Sequence, residues 1–207
     1  MTVRLARVDV VLSFGAALIA FRLAGELMRR KRVAWAGGLL AYALAAASLA
    51  WGTAHGWDTR SFRVYYLTGG LLTAPLLGAG SLLLTGRRWA TPVILVYAGL
   101  AMGVVIAMPV HGTFPSGVVP TADDHLDWLP KVLAIAGNSL GTLAVVAVAV
   151  LTIRRRPARN VLLLAGIAVA AAGTGLAGTS VPTLAICAAV AVALLYLGVS
   201  GAPTAKR

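Results

Sequence analysis

Histidine and aspartate gather in one stretch of this chain. Residues 110–130 contain His111, Asp123, Asp124, His125 and Asp127. Imidazole and carboxylate together form a ligand set for zinc or a similar divalent ion, which makes His111, Asp124, His125 and Asp127 the candidate metal ligands. Thr121-Ala-Asp-Asp124 resembles a capping box with Asp in place of Glu, so a short interfacial helix is expected to begin there. On such a helix Asp124 and Asp127 share a face at i, i+3, and His125 points elsewhere. His55 and Asp58 join this set only if the fold brings two loops together. No ligand pair has an established helical metal spacing such as HxxxH, and a solvated acidic loop is the plainer reading. The pattern implies no cofactor.

A second group of polar residues lies inside apolar runs. Phe62-Arg63-Val64-Tyr65-Tyr66 opens one run, and Pro75 sits near its middle. A proline there lacks an N–H, frees the carbonyl of Leu71 four residues back and predicts a helix kink. Thr68 and Thr73 are close enough in sequence to satisfy the freed group. Another run holds Gly137-Asn138-Ser139-Leu140-Gly141-Thr142. Gly137 and Gly141 form a small-xxx-small pair that permits close helix approach. Asn138 and Thr142 share a neighbouring face about 10 Å below the end of the run. An amide at that depth needs a partner. One reading is hydrogen bonding between helices; the other is an outward-facing ligand pocket lined by Asp9, Arg63, Tyr66, Asn138 and Thr142. Arg22 and Glu26 stand at i, i+4 and are expected to pair, with Arg22 snorkelling toward the nearer interface.

The elements that position these residues follow from the apolar runs themselves. A helix crosses the hydrocarbon of a bilayer with about 20 apolar residues. Seven runs qualify, approximately 9–28, 33–53, 62–84, 89–109, 131–153, 160–178 and 181–200. Arg22, Glu26 and the Arg29-Arg30-Lys31-Arg32 cluster stand where a signal peptide would have its small-residue cleavage site, so the first run is read as a retained helix. Pro182 suits the first turn of the last one. The fold class expected is an all-α integral membrane bundle of about seven transmembrane helices, one domain over residues 1–207.

Short-loop Lys and Arg set the orientation. With the N-terminus outside and the C-terminus in the cytoplasm, twelve basic residues fall inside (Arg29–Arg32, Arg87, Arg88, Arg154–Arg156, Arg159, Lys206, Arg207) and five outside. Asp9, Asp58, Asp123, Asp124 and Asp127 all fall outside, and 110–130 becomes an extracytoplasmic loop. Trp51, Trp57, Tyr65, Tyr66 and Trp128 lie near the outer interface, Trp35 and Trp89 near the inner one, as amphipathic rings prefer.

Composition excludes several function classes. Charged residues make up 12% of the chain and hydrophobic ones 59%, whereas a soluble domain carries about 25% charge. The net charge of +12 is dispersed in short clusters between apolar runs instead of on one folded face with aromatic partners, so no nucleic acid is expected. The natural partners are the bilayer itself, anionic lipid at the cytoplasmic face, and a partner membrane protein or a second copy of the chain. A single cysteine, Cys187, excludes a disulfide framework within the chain. Arg outnumbers Lys fifteen to three with abundant Ala and Gly, a bias associated with GC-rich bacteria; the expected location is the bacterial cytoplasmic (inner) membrane, crossed many times.

The order of basic cluster, second span, Gly56-Trp57, Phe62-Arg63-Val64-Tyr65-Tyr66-Leu67 and later Asn138-Ser139-Leu140-Gly141-Thr142 resembles small, uncharacterised seven-span membrane proteins of GC-rich bacteria, over most of the chain. It is more loosely similar to the seven-helix sensor regions of membrane histidine kinases, without the kinase domain. Retinal proteins need a lysine in the last span, and 181–200 has none. The leading expectation is a non-enzymatic, sensor-like, binding or accessory subunit with a polar site in its outer half. A small-solute transporter or channel comes second, although no internal repeat pairs with Pro75. A membrane enzyme using the 110–130 loop comes third.

Overall fold

A computed structural model describes residues 2–114, 118–154, 157–175 and 181–200, with side chains outside the described set at 2–9, 159, 171, 173–175, 181–185 and 199–200. Among the described residues the chain is all-helical. The elements in order are α1 (Thr2–Arg29), α2 (Val33–His55), α3 (Thr59–Tyr65), a π-helical segment (Tyr66–Leu72), α4 (Thr73–Leu84), α5 (Ala90–Ala107), α6 (Ala122–His125), α7 (Trp128–Thr152), α8 (Pro157–Gly175) and α9 (Val181–Ser200). Five helical stretches are long and apolar enough to cross a membrane: Val10–Arg29, Val33–His55, Thr59–Leu84, Ala90–Ala107 and Trp128–Thr152. The described apolar parts of α8 and α9, Asn160–Ala170 and Ile186–Gly198, are shorter. The chain is therefore a helical membrane protein with at least five candidate spans.

α1 packs along α2 and α9, α8 pairs with α9, and α4 lies between α2 and α7. α5 is the most peripheral of the five, and Leu95, Val96, Leu100 and Ile106 project from it unburied. Such a face is costly in water and costs nothing in lipid.

The two largest apolar clusters lie toward opposite ends of the bundle. One, toward the end where α1 meets α2, joins Leu23, Leu27, Trp35, Leu39, Leu77 and Val145. The other, at the opposite end, joins Phe62, Tyr66, Leu71, Val105, Met108 and Leu126. Glycine makes the inter-helix contact tight at one crossing. A Cβ on Gly141 of α7 would stand 2.4 Å from the Ala74 carbonyl oxygen and 2.7 Å from Pro75 N, and one on Gly78 would stand 2.6 Å from Gly141 Cα. The close helix approach expected of this pair is present at Gly141, backbone against backbone, whereas the space beside Gly137 is filled by the Tyr97 side chain.

Three local expectations are corrected. Glu26 pairs with Arg30 (2.5 Å), not with Arg22, which is exposed without an ion partner among the described residues. An acid four residues before a base is the better helical order, and Arg30 also stands at the negative end of the helix dipole. The 121–124 capping box does not form: the Thr121 hydroxyl donates to the Asp124 carboxylate (2.6 Å) instead of accepting a backbone N–H. α6 ends at His125, so Asp127 is not on that helix at all and instead precedes α7 as its N-cap. A capping box does form at Asp58, whose carboxylate accepts from Ser61 N–H while the Ser61 hydroxyl accepts from Asp58 N–H.

Candidate functional site

The third apolar run is one continuous helical stretch from Thr59 to Leu84 with a change of register inside it. At Tyr66–Leu72 the bonding is i→i+5, and the segment closes with Thr73 N–H donating to Thr68 O. α4 then resumes α-helical bonding with Leu72 as its N-cap, so Leu72 O takes the N–H of residue 76. Between these limits lie the carbonyls of Gly69, Gly70 and Leu71, and the N–H groups of positions 74 and 75. Position 75 is proline and has none. The segment therefore offers fewer N–H groups than carbonyls.

Asn138 answers part of this deficit. Its side-chain N–H donates to Gly70 O at 2.8 Å from the adjacent α7. The backbone group that receives an outside donor is therefore Gly70, not the Leu71 expected from a simple proline kink, because the π register moves the gap by one residue. Thr68 and Thr73 are occupied locally: the Thr68 hydroxyl donates to Val64 O and that of Thr73 to Thr68 O, both at 2.7 Å.

Two more side chains fasten the same region to its neighbours. The buried Tyr66 hydroxyl donates to Pro130 O (3.0 Å) in the first turn of α7. Arg63 donates through Nη2 to Met108 O (2.8 Å), the carbonyl just past the end of α5, where a cation is favoured by the helix dipole. Its Nε is buried without an acceptor, and no ion pair among the described residues includes Arg63. Arg63, Tyr66 and Asn138 therefore converge on one structural joint, each through a backbone carbonyl of a different segment. Thr142 lies half-buried one turn farther along α7, and the side chain of Asp9 lies outside the described residues.

Tyr97 belongs to this joint and is absent from the sequence-based set. Its hydroxyl donates to Leu133 O (3.1 Å), and it can do so because position 137 is glycine: a Cβ there would stand on the hydroxyl oxygen. On α2, Tyr42 likewise donates to Ala188 O of α9 (2.8 Å). A tyrosine deep in an apolar run, away from either interface, is the signal that would have found both.

No family model, curated protein or solved structure matches the chain.

The loop above the joint is built around His125. It is buried, flanked by Phe62 (ring centroids 5.5 Å apart) and Phe114 (4.6 Å). His125 Nδ1 lies 2.8 Å from His111 O, and His111 N–H donates to His125 O at 3.0 Å. A carbonyl only accepts, so Nδ1 carries the proton and Nε2 keeps the lone pair of the neutral ring. His111 Nε2 lies 3.4 Å from Asp127 Oδ1, and Asp124 is held by Thr121. Among the described residues no three His, Cys, Asp or Glu side chains are grouped to hold an ion. His55 stacks on Trp51 (4.2 Å), while Val119 packs with Leu49 and Trp57. The two loops meet through apolar groups. At Asp58 the Ser61 hydroxyl and then the Ser61 N–H hold the carboxyl below the usual carboxylate range.

Proposed function

We propose that the chain is a non-enzymatic, sensor-like or accessory membrane module of a bacterial cytoplasmic membrane, crossing it seven times with the N-terminus outside, and that its outer half receives a small ligand or a partner. The distribution of Lys and Arg supports that sidedness. The observation that carries the binding reading is Arg63: a half-buried cation with one N–H on a carbonyl, a buried Nε without an acceptor, and no carboxylate partner among the described residues. A buried guanidinium favours an anion or a planar acceptor beside it. Such a ligand would compete with Met108 O for Arg63 and so act on the joint made by Tyr66, Gly70 and Asn138. Ligands shift a protein only through differential affinity for two arrangements, and π-helical segments recur at functional positions.

The test has two parts. In a Cys187→Ser background, Arg87→Cys and His111→Cys report sidedness: a membrane-impermeant maleimide labels His111→Cys in intact cells and Arg87→Cys only after lysis. The reverse pattern overturns the orientation. Thermal-shift screening of small carboxylates and phosphates against wild type and Arg63→Gln then tests binding; stabilisation seen equally in both proteins removes Arg63 as the site.

A transporter is the second reading, favoured by the interrupted third stretch, since broken helices expose backbone groups at transport sites. Solute flux in proteoliposomes that is abolished by Asn138→Leu would support it over the sensor. The 110–130 loop gives an enzyme no comparable support, because no three His, Cys, Asp or Glu side chains among the described residues are grouped there.

A further inference from the structure

The end of the bundle carrying Arg29–Arg32, Arg87, Arg88 and Arg154 contains a cavity of about 360 Å³, lined by the ends of α1, α2, α4, α7, α8 and α9. Its walls are of two kinds. Leu27, Val145 and Leu163 are apolar, while Arg32, Ser81, Thr85, Thr152 and Asn160 are polar. The cavity is open, and Arg32 is exposed beside it, its guanidinium making no hydrogen bond or ion pair to any described residue.

The hydroxyls are not free to act as donors. Ser81 donates to Leu77 O (2.9 Å), Thr85 to Leu82 O (2.7 Å) and Thr152 to Val148 O (2.7 Å). Thr152 also accepts from Asn160, which is buried among these helix ends (2.9 Å). Ser81 and Thr85 therefore present acceptor lone pairs to the cavity, next to one unpaired guanidinium. The complement of that lining is a group bearing a negative charge, hydrogen-bond donors and an apolar portion.

We propose that this cavity binds one anionic phospholipid with a hydroxyl-bearing headgroup: the phosphate on Arg32, the headgroup hydroxyls toward Ser81 and Thr85, and the beginning of an acyl chain against Leu27, Val145 and Leu163. A volume of 360 Å³ falls in the range of small-ligand sites. Basic pockets between helices at a membrane surface favour such headgroups. Adjacent exposed Arg29, Arg30 and Lys31 concentrate anionic lipid at the mouth, and Arg32 holds one molecule. The assignment needs only that the chain sits in a bilayer; it is independent of the joint around Arg63.

Native mass spectrometry of the full-length, detergent-purified protein tests it, with phosphatidylglycerol, phosphatidylcholine and soluble glycerol phosphate as the probes. One phosphatidylglycerol is retained per chain, and phosphatidylcholine and glycerol phosphate are not. Arg32→Gln weakens retention about fivefold, the loss of one surface cation. Arg88→Gln, on a neighbouring loop outside the lining, leaves it unchanged; both residues are exposed, so neither change threatens folding. Ala149→Leu narrows the cavity and lowers retention further. Equal losses in Arg32→Gln and Arg88→Gln would reduce the effect to general attraction by the basic face and overturn the site. Equal retention of phosphatidylcholine would overturn the charge assignment, and retention of glycerol phosphate would make the ligand a soluble anion instead of a lipid.

Discussion

Replacing Gly141 with alanine puts a methyl carbon where another helix already has its backbone. The added Cβ would lie 2.4 Å from the Ala74 carbonyl oxygen and 2.5 Å from its carbon. Neither atom can rotate away, because both belong to the backbone just before Pro75. Restoring an ordinary contact of 3.4 Å requires α7 and α4 to part by about 1 Å at the crossing. Asn138 lies one turn away on the same helix, and its 2.8 Å bond to Gly70 O then stretches beyond hydrogen-bonding distance. Overpacking costs about 1–3 kcal/mol and a lost hydrogen bond between membrane helices about 0.6–1.7 kcal/mol. The combined expectation is a destabilisation of about 2–5 kcal/mol. Unfolding in mixed micelles, titrated with a denaturing detergent and followed by far-UV circular dichroism, measures it. Gly99→Ala is the control: a Cβ there meets nothing within 4 Å, so it stays within about 1 kcal/mol of wild type. If Gly141→Ala and Gly99→Ala unfold together, α7 and α4 do not meet backbone to backbone at Pro75.

Other perturbations separate the remaining contacts. Tyr66→Phe keeps the ring and removes the bond to Pro130 O; it should cost about 0.6–1.7 kcal/mol in the same assay. His125→Ala removes a buried imidazole packed on Phe62 and Phe114 and should lower the melting temperature, whereas chelators should leave the wild type unchanged; a drop with chelator would favour the metal reading of this loop instead. Asp58→Ala removes an N-cap and costs about 1 kcal/mol near neutral pH. Because the folded Asp58 carboxyl is held below its ordinary range, its contribution is full above that range and is lost as pH falls through the lowered value. The gap in melting temperature between wild type and Asp58→Ala should therefore close on acidification.

Much of the architecture was legible because a bilayer is an unforgiving solvent. Long apolar runs bounded by Arg clusters mark helices wherever they occur, and the ends of α2, α5 and α7 fall within a few residues of the runs that predict them. Gly137 and Gly141 were legible for the same reason, since small residues at a spacing of four are how helices come close in lipid. The π register was not. Pro75 announces a missing N–H, but which carbonyl is left over depends on how the neighbouring α7 presents Asn138, a fact of tertiary packing. The pairing of Glu26 with Arg30 also turns on a choice between two equal spacings. The burial of His125 is not legible because a loop has no periodicity from which burial can be inferred; only the fold shows it between two phenylalanines.

The polar residues inside this bundle divide by what they bond. Arg63, Tyr66, Tyr97 and Asn138 all donate to backbone carbonyls of another segment, and those carbonyls sit at a helix end, in the first turns of α7, or at the register change. A side chain that bonds a side chain can be replaced by repacking. One that bonds a carbonyl records the backbone conformation of the segment it touches, because the carbonyl moves only when that segment moves. The Asn138–Gly70 bond thus holds the third helical stretch in its π register, and returning Tyr66–Leu72 to α-helical bonding would rotate Arg63, at the far side of the segment, relative to Pro75. Any ligand that prefers one orientation of Arg63 consequently draws on the register of this segment, which couples a charge near the end of the bundle to helix packing at its middle.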